Sequence, residues 1–435
     1  MLLSASLPMP CTWQEMLEEL GPVFARRSTH RLFVALACGM ILADRSAVVA
    51  MAAAAGMAQQ WRRACWLFSG AAWGIGELGL AVARLVVRCL LSEGDAITVA
   101  AGGTLFKRWG RKVHAARWAC DGSAQGGKKV AFGSTWVAAA IVVKLRFCSS
   151  PVAPPVLFGL WRGKGTASQV ELAGQMMEKL AAAFPGRRVH GVGDAAFHGQ
   201  PLVIEGATWT TRLPANAVLY GPKPRRADKR GRPRQKGDRL GTCAQVAASA
   251  DWAGAVICVC GQDTAVQVAA ARALWHGSFK TAPGRVILVR DPGSGKAYDL
   301  GLFTLDTDAD PAAVIERYSW RLPIEPSNAA GKQLLGVGDA CNRVEKAAGR
   351  TVPFGFLIQT LLIAWYAAHA WDPADAGRRC RLCPWYRTKT EPATADMLGR
   401  LRHEFFKARF SVIGPGQTDP QQIGPKAWTC DATAV

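Results

Sequence analysis

Acidic residues are scarce in this chain. Its 435 residues carry 32 Asp and Glu against 53 Lys and Arg, a formal net charge of +21. Self-repulsion on that scale is costly unless something of opposite sign offsets it, so the imbalance points to a polyanionic partner: nucleic acid first, an anionic membrane surface second. No secretory signal is expected either, because the opening MLLSASLPMPCTWQEMLEEL has no cationic segment and its apolar part soon ends at acids. The apolar stretch 66–92 is interrupted by Glu77, Arg84 and Arg88, which predicts buried or amphipathic helices and no membrane span. The 13 cysteines are odd in number and scattered, a pattern that predicts reduced thiols in a cytoplasm. Cys380 and Cys383 have zinc-knuckle spacing, but no second such pair or nearby His pair completes it, so small buried thiols are expected. His114, His190 and His198 lack a nucleophile elbow or a paired acid, which argues against a Ser/His or Cys/His hydrolase. No internal repeat is visible.

What is present organises the chain. Residues 1–93 read as helical, and Arg26, Arg27, Arg31, Arg62 and Arg63 could make this segment a DNA-contacting module. From residue 94 the character changes. ITVAA and VHAARWA read as strands joined by a turn around Arg108–Arg111, and WVAAAIVVKLRF reads as a third strand. SQVELAGQMMEKLAAAF reads as a helix with a capping box at Ser168 and Glu171. RRVHGVGD follows as a short strand ending at Asp194. Residues 205–305 are rich in short strands and enclose a basic loop at 222–239. That stretch, within GPKPRRADKRGRPRQKGDR, holds nine Lys or Arg against two Asp, and its Pro and Gly preclude a regular helix. Arg230-Gly231-Arg232-Pro233 looks like the core of an AT-hook, although a plain phosphate-gripping loop explains it as well. Residues 306–371 turn helical again, and the tail 372–435 holds one helix.

Chemistry concentrates in YSWRLPIEPSNAAGK, where Tyr318, Arg321, Glu325 and Lys332 stand at offsets 0, 3, 7 and 14. This Tyr-x2-Arg-x3-Glu-x6-Lys spacing resembles the signature of bacterial insertion-sequence transposases of the DDE type. GVGDAAFHG resembles that family's second-aspartate motif, and TLFKRWGRKVHAARWACDGSA resembles the segment after its first aspartate. The resemblance spans about residues 95–395. It implies an α/β fold with an RNase H-like core, for which 94–204 and 306–371 are the two halves, 205–305 a β-rich insertion and 1–93 a helical N-terminal domain. It implies phosphoryl transfer on double-stranded DNA at transposon ends, a homodimer in a synaptic complex, and a bacterial, nucleoid-associated location with no membrane. It also implies three carboxylates that hold two Mg²⁺ ions, which need hard oxygen ligands. Asp194 and Glu325 match two of the three acids, and Tyr318, Arg321 and Lys332 match the residues that steady the DNA backbone. Arg225, Arg226, Lys229, Arg230, Arg232 and Arg234 are the further DNA-binding candidates.

The first acid is missing. The family's Asp-Asp-Thr, at the end of its first core strand, is replaced here by Gly102, Gly103 and Thr104. Asp95 lies seven residues earlier, roughly 23 Å along a strand, against a metal–oxygen distance of ~2.1 Å. A regular hairpin would bring Asp121 back toward Asp95, equally remote. Pro323 and Pro326 flank Glu325, and proline is tolerated only in a helix's first turn, so a helix is expected to start near Pro323 with Tyr318 and Arg321 before it. These departures suggest a transposase that binds DNA and is catalytically crippled. The alternative is a non-catalytic DNA-binding protein derived from one.

Overall fold

The structure is a computed structural model and describes residues 8–43, 47–122, 124, 129–224, 234–259, 261–383, 385 and 388–412. Helices α1 (Cys11–Glu18), α2 (Arg27–Leu42), α3 (Val48–Ala54), α4 (Trp61–Ser69) and α5 (Ile75–Leu90) open the chain. Strands β1 (Ile97–Lys107), β2 (Arg117–Cys120), β3 (Val130–Ile141) and β4 (Pro155–Trp161) follow, then α6 (Gln169–Ala183), β5 (Val189–Gly193) and β6 (Ala207–Arg212). The next segment holds β7 (Leu219–Tyr220), β8 (Arg239–Gly241), α7 (Cys243–Ala248), β9 (Ala253–Val259), β10 (Gln262–Ala273), α8 (His276–Phe279), β11 (Gly284–Arg290) and β12 (Leu300–Thr304). Helices α9 (Pro311–Ser319), α10 (Ile324–Leu334), α11 (Glu345–Trp365), α12 (Ala374–Leu382) and α13 (Thr394–Val412) complete it.

One mixed sheet, ten-stranded among the described residues, organises the α/β fold. Its first part runs β4-β3-β1-β5-β6 in space, with β1 antiparallel to β3 and parallel to β5, and β5 parallel to β6. The segment after β6 extends the same sheet: β12 pairs antiparallel with β6, and β11, β10 and β9 follow outward. Thus the strand-rich region between Asp194 and Glu325 continues the sheet.

Strand limits depart from the sequence expectation. β1 does not end at Ala101 but runs on through both glycines, because β3 pairs across them, Gly102 with Ala138 and Gly103 with Val137. β3 starts six residues before Trp136 and ends at Ile141, one residue before Val142 N–H donates to Thr98 O in the same register. The expected strand over VHAARWA shrinks to Arg117–Cys120. α6 carries the full capping box, Ser168 and Glu171 each accepting from the other's backbone N–H.

The opening helices have no core of their own. A single buried cluster runs from Trp13 through the sheet to Phe405, and α11 lies at its centre. Phe354 meets Phe33 and Phe68 of the helical layer edge-on. Phe356, two residues on and so across the helix, meets Phe106 and Phe158 of the sheet. Glu345–Ala370 is long and apolar enough to cross a membrane by length and composition, but 89% of its most apolar window is buried inside the protein.

Candidate functional site

Asp194 follows β5 directly. Gly191 and Gly193, the glycines of GVGD, leave room for the Trp209 indole of β6: a Cβ on either would lie within 2.6 Å of that ring. Trp209 Nε1 donates to Phe197 O at 3.0 Å, and Thr211 Oγ1 donates to Asp194 O at 2.7 Å. The carboxylate itself accepts from Ala196 N–H at 2.8 Å. The turn that presents Asp194 is therefore held from β6, by residues the sequence reading did not single out. The run of polar and β-branched residues in TWTTR was the available signal.

Gly102 is level with Asp194. The parallel pair β1–β5 matches Ala101 with Gly193, so one residue further brings the two side by side, about 4.8 Å apart across the sheet. Successive strand residues face opposite sides of a sheet. A Cβ on Gly102 would lie 3.4 Å from the Ile324 side chain at the start of α10, whereas one on Gly103 would lie 3.1 Å from Gln169 Oε1 at the start of α6. Below Gly102 and Asp194 on the same face, Ala100, Val192 and Ile324 form a closed apolar floor. A carboxylate at 102 would share a face with Asp194 and the α10 helix; one at 103 would not.

Glu325 occupies the second position of α10, whose N-cap is Pro323. Between α9 and α10 the chain tightens into successive i→i+3 turns: Arg321 N–H to Tyr318 O, Leu322 to Ser319, Ile324 to Arg321 and Glu325 to Leu322. This tightening is what the prolines require. Each removes the donor that an α-helix would aim at the carbonyl four residues back, Ser319 O for Pro323 and Leu322 O for Pro326. Leu322 N–H and Glu325 N–H take those two acceptors instead. Tyr318 consequently ends α9, Arg321 lies in the turn, and the four motif residues do not share one helix.

They still converge in part. Arg321 Nη1 is 3.3 Å from Glu325 Oε1; the arginine side chain is 16% exposed and the glutamate 69%. Burial pushes the Tyr318 hydroxyl pKa up, opposed by the charges of Arg321 and Arg212, with Asp194 adding to the rise. Asp194, Tyr318, Arg321 and Arg212 thus form one electrostatic group, and Arg212 is a member the sequence reading missed. Lys332 is turned inward: its Nζ donates to Thr104 Oγ1 at 2.7 Å and Leu105 O at 3.1 Å, and lies 4.6 Å from the Phe106 ring centre. Its pKa is lowered by burial, with Asp121 opposing.

Behind the site, Arg317 of α9 donates to Asp306 at 2.8 Å, and Asp306 lies 3.6 Å from His190 Nδ1, which is 2.6 Å from Thr208 Oγ1. This buried set ties α9 to β5 and β6, and so fixes Tyr318 relative to Asp194.

Asp121 is not where a regular hairpin would put it. β2 pairs with the start of β3 rather than with β1. This carries Asp121 to the far end of β1 from Asp95, 2.9 Å from Lys107 Nζ. Among the described residues no group of three or more His, Cys, Asp or Glu is placed to hold a metal. With Gly102 offering no side-chain oxygen beside Asp194, the donor set does not fit the pair of Mg²⁺ ions that the family resemblance implied. Cys380 and Cys383 are both half-buried free thiols, and Cys380 Sγ contacts Lys389 O at 3.6 Å. Arg234 is exposed and pairs with Asp238 at 3.0 Å. Arg225, Arg226, Lys229, Arg230 and Arg232 lie outside the described residues.

No curated protein matches the chain. The model of a family described as DDE superfamily endonuclease matches residues 19–282, which takes in α2 to α5, Gly102 and Asp194 and stops short of Glu325. As that match covers more than half of its length, the chain belongs to the DDE superfamily endonucleases.

Proposed function

We propose that the protein is a transposase of an insertion sequence by descent, which binds double-stranded DNA at transposon ends and does not cleave it as the sequence stands. Family membership supports the DNA substrate and the phosphoryl-transfer ancestry. One observation carries the loss of activity: Gly102 lies beside Asp194 and faces the Glu325 helix, where the family's first acid would supply a metal ligand. In this reading 94–204 and 306–371 are halves of an RNase H-like core, and 205–305 is an insertion that widens its sheet. Asp194 and Glu325 are the surviving acids. Tyr318 and Arg321 steady a DNA strand near them, while Lys332, bonded to Thr104, braces β1. Two copies assembling on paired DNA ends is part of the same reading.

Nicking of supercoiled plasmid in Mg²⁺ or Mn²⁺ tests it. The wild type and Gly103→Asp are expected to stay at background, Gly102→Asp to gain nicking by orders of magnitude, and Asp194→Ala to abolish that gain. Robust wild-type nicking abolished by Asp194→Ala overturns the reading of inactivity. A folded, DNA-binding Gly102→Asp that remains inert favours the second reading, a DNA-binding protein that no longer retains a restorable centre.

The basic loop is the proposed phosphate grip. Replacing Arg225, Arg226, Lys229, Arg230, Arg232 and Arg234 with Ala should flatten the dependence of log K on log salt by up to about 0.9 for each phosphate that is no longer neutralised. An unchanged slope removes the loop from the interface.

A further inference from the structure

The segment holding α3 and α4 carries charges that the site described above does not use. Arg62 and Arg63 are the only charged residues over 46–76, so the sequence there holds no acid to offset them. The chain before them is tightly built. Where α3 ends, Gly56 N–H donates to Ala53 O at 3.0 Å and Met57 N–H to Ala52 O at 2.7 Å. These two bonds engage carbonyls that the helix leaves free, and they need a left-handed residue, which Gly56 supplies at φ +72°. One 3₁₀ turn, Ala58–Gln60, leads into α4. α2 lies close behind α3, where a Cβ on Gly39 would be 2.1 Å from Met51 O, and it also packs on α4. Two helices joined by a short glycine turn are the parts of a helix-turn-helix. The two sides of α4 differ. Ala64, Leu67 and Phe68 are buried. Arg62, Arg63 and Trp66 are exposed, and at ~100° per residue they fall on one face about 100° wide. Arg62 lies over the Trp61 ring at 5.4 Å and Arg63 Nη1 donates to Gln60 Oε1 at 2.8 Å; among the described residues neither pairs with an acid.

We propose that α3 and α4 form a helix-turn-helix whose second helix enters the major groove of duplex DNA, where Arg62 and Arg63 read guanine edges. The inference rests on the DNA-binding reading and deepens it by naming the surface that selects a sequence. The major groove, about 12 Å wide, admits one α-helix, and the planar guanidinium fork matches O6 and N7 of guanine. Both arginines stand in the first turn of α4, where a recognition helix makes its base contacts. A lysine at either position would keep the charge and lose the fork.

The test starts from a pool of duplexes with a randomised centre, from which the full chain selects its preferred sequence. Fluorescence anisotropy then compares the selected duplex with one of the same length and composition in scrambled order. The double variant Arg62→Gln/Arg63→Gln changes two exposed helix positions and should leave folding intact, as circular dichroism checks. It should cut the preference for the selected duplex by roughly tenfold or more, with a smaller loss on the scrambled one. Arg62→Lys/Arg63→Lys should bind the scrambled duplex like the wild type and still lose the preference. A preference within twofold of wild type in the glutamine variant overturns the inference. So does an equal loss on both duplexes, which would make the arginines phosphate contacts, and so does full preference in the lysine variant. A wild type that binds the pool and selects no sequence sinks this inference alone. A wild type that binds no duplex sinks the DNA-binding reading itself.

Discussion

Two arginines, one buried in the helical layer and one half-buried beside the candidate site, are used in opposite ways. Arg350 of α11 is 6% exposed. Its Nη1 donates to Leu67 O, Phe68 O and Ala71 O at 3.3, 3.2 and 3.0 Å, and its Nη2 to Trp73 O. It thereby closes the C-terminal end of α4, whose last carbonyls have no partner within the helix and whose dipole favours a cation. Arg321 has one ion pair, to a mostly exposed glutamate, and its Nε finds no hydrogen-bond acceptor among the described residues. A guanidinium set among four backbone carbonyls belongs to the fold. One paired with a mostly exposed glutamate is, in the proposed reading, open to a DNA phosphate. The largest stability effect should fall on the first: Arg350→Ala is expected to cost about 3–5 kcal/mol, since several buried carbonyls lose their donor together. Arg321→Ala should change stability by less than about 1 kcal/mol and weaken DNA binding. Chemical denaturation of both variants, beside DNA titrations, checks this. Equal destabilisation would break the contrast and make Arg321 a structural residue.

A third buried group sharpens the contrast from the side of pH. His190 is 6% exposed, and its pKa is pushed down to about 4 by burial and then by the Arg317 charge, against the opposing Asp306 carboxylate. The folded state therefore holds the ring neutral, whereas the unfolded chain protonates it near pH 6.5. Between these values the unfolded state binds the extra proton. Stability conferred by the neutral ring is complete above about pH 6.5 and falls as pH drops toward 4, by about 3 kcal/mol in all. His190→Gln should flatten unfolding free energy over that window. A wild-type profile with no loss between pH 6.5 and 4 would mean that the ring is not held neutral behind α9.

These contrasts mark what the sequence made legible. Local grammar was readable: the capping box of α6, the carboxylate after a short strand, and a helix start at Pro323 all follow from neighbouring residues. Non-local pairing was not. β10 reads QDTAVQVAAARA, whose alanines have little strand preference, and it becomes a strand because β9 and β11 hold it on both sides. The continuation of β1 through two glycines, and the displacement of Asp121 to the opposite end of the sheet, likewise depend on which strand β3 and β2 choose. At the site itself the spacing of Tyr318, Arg321, Glu325 and Lys332 was plain. That Gly102 and Gly103 face opposite sides emerged only with the sheet. Thr208 and Arg212 were signalled by the TWTTR run alone, and Asp306 carried no signal beyond residue type.

A further, modest effect tests how Lys332 joins α10 to β1. Its ammonium is turned from solvent onto β1, bonded to the hydroxyl of the threonine that follows the two glycines. Thr104→Val keeps shape and burial while deleting that acceptor, leaving Lys332 with Leu105 O. A hydrogen bond to a charged group contributes about 1.5–3 kcal/mol, and part of it should be recovered by rearrangement of the flexible lysine, so a loss of about 1–2 kcal/mol is expected. The same substitution discriminates roles. If Lys332 braces β1, DNA affinity should hardly change when the threonine hydroxyl is removed. If the lysine instead swings to a phosphate on binding, loosening it from Thr104 should strengthen DNA binding, because the bond it must break is already gone. Denaturation and DNA titration of the one variant separate the two, and an increase in affinity would move Lys332 from the scaffold to the interface.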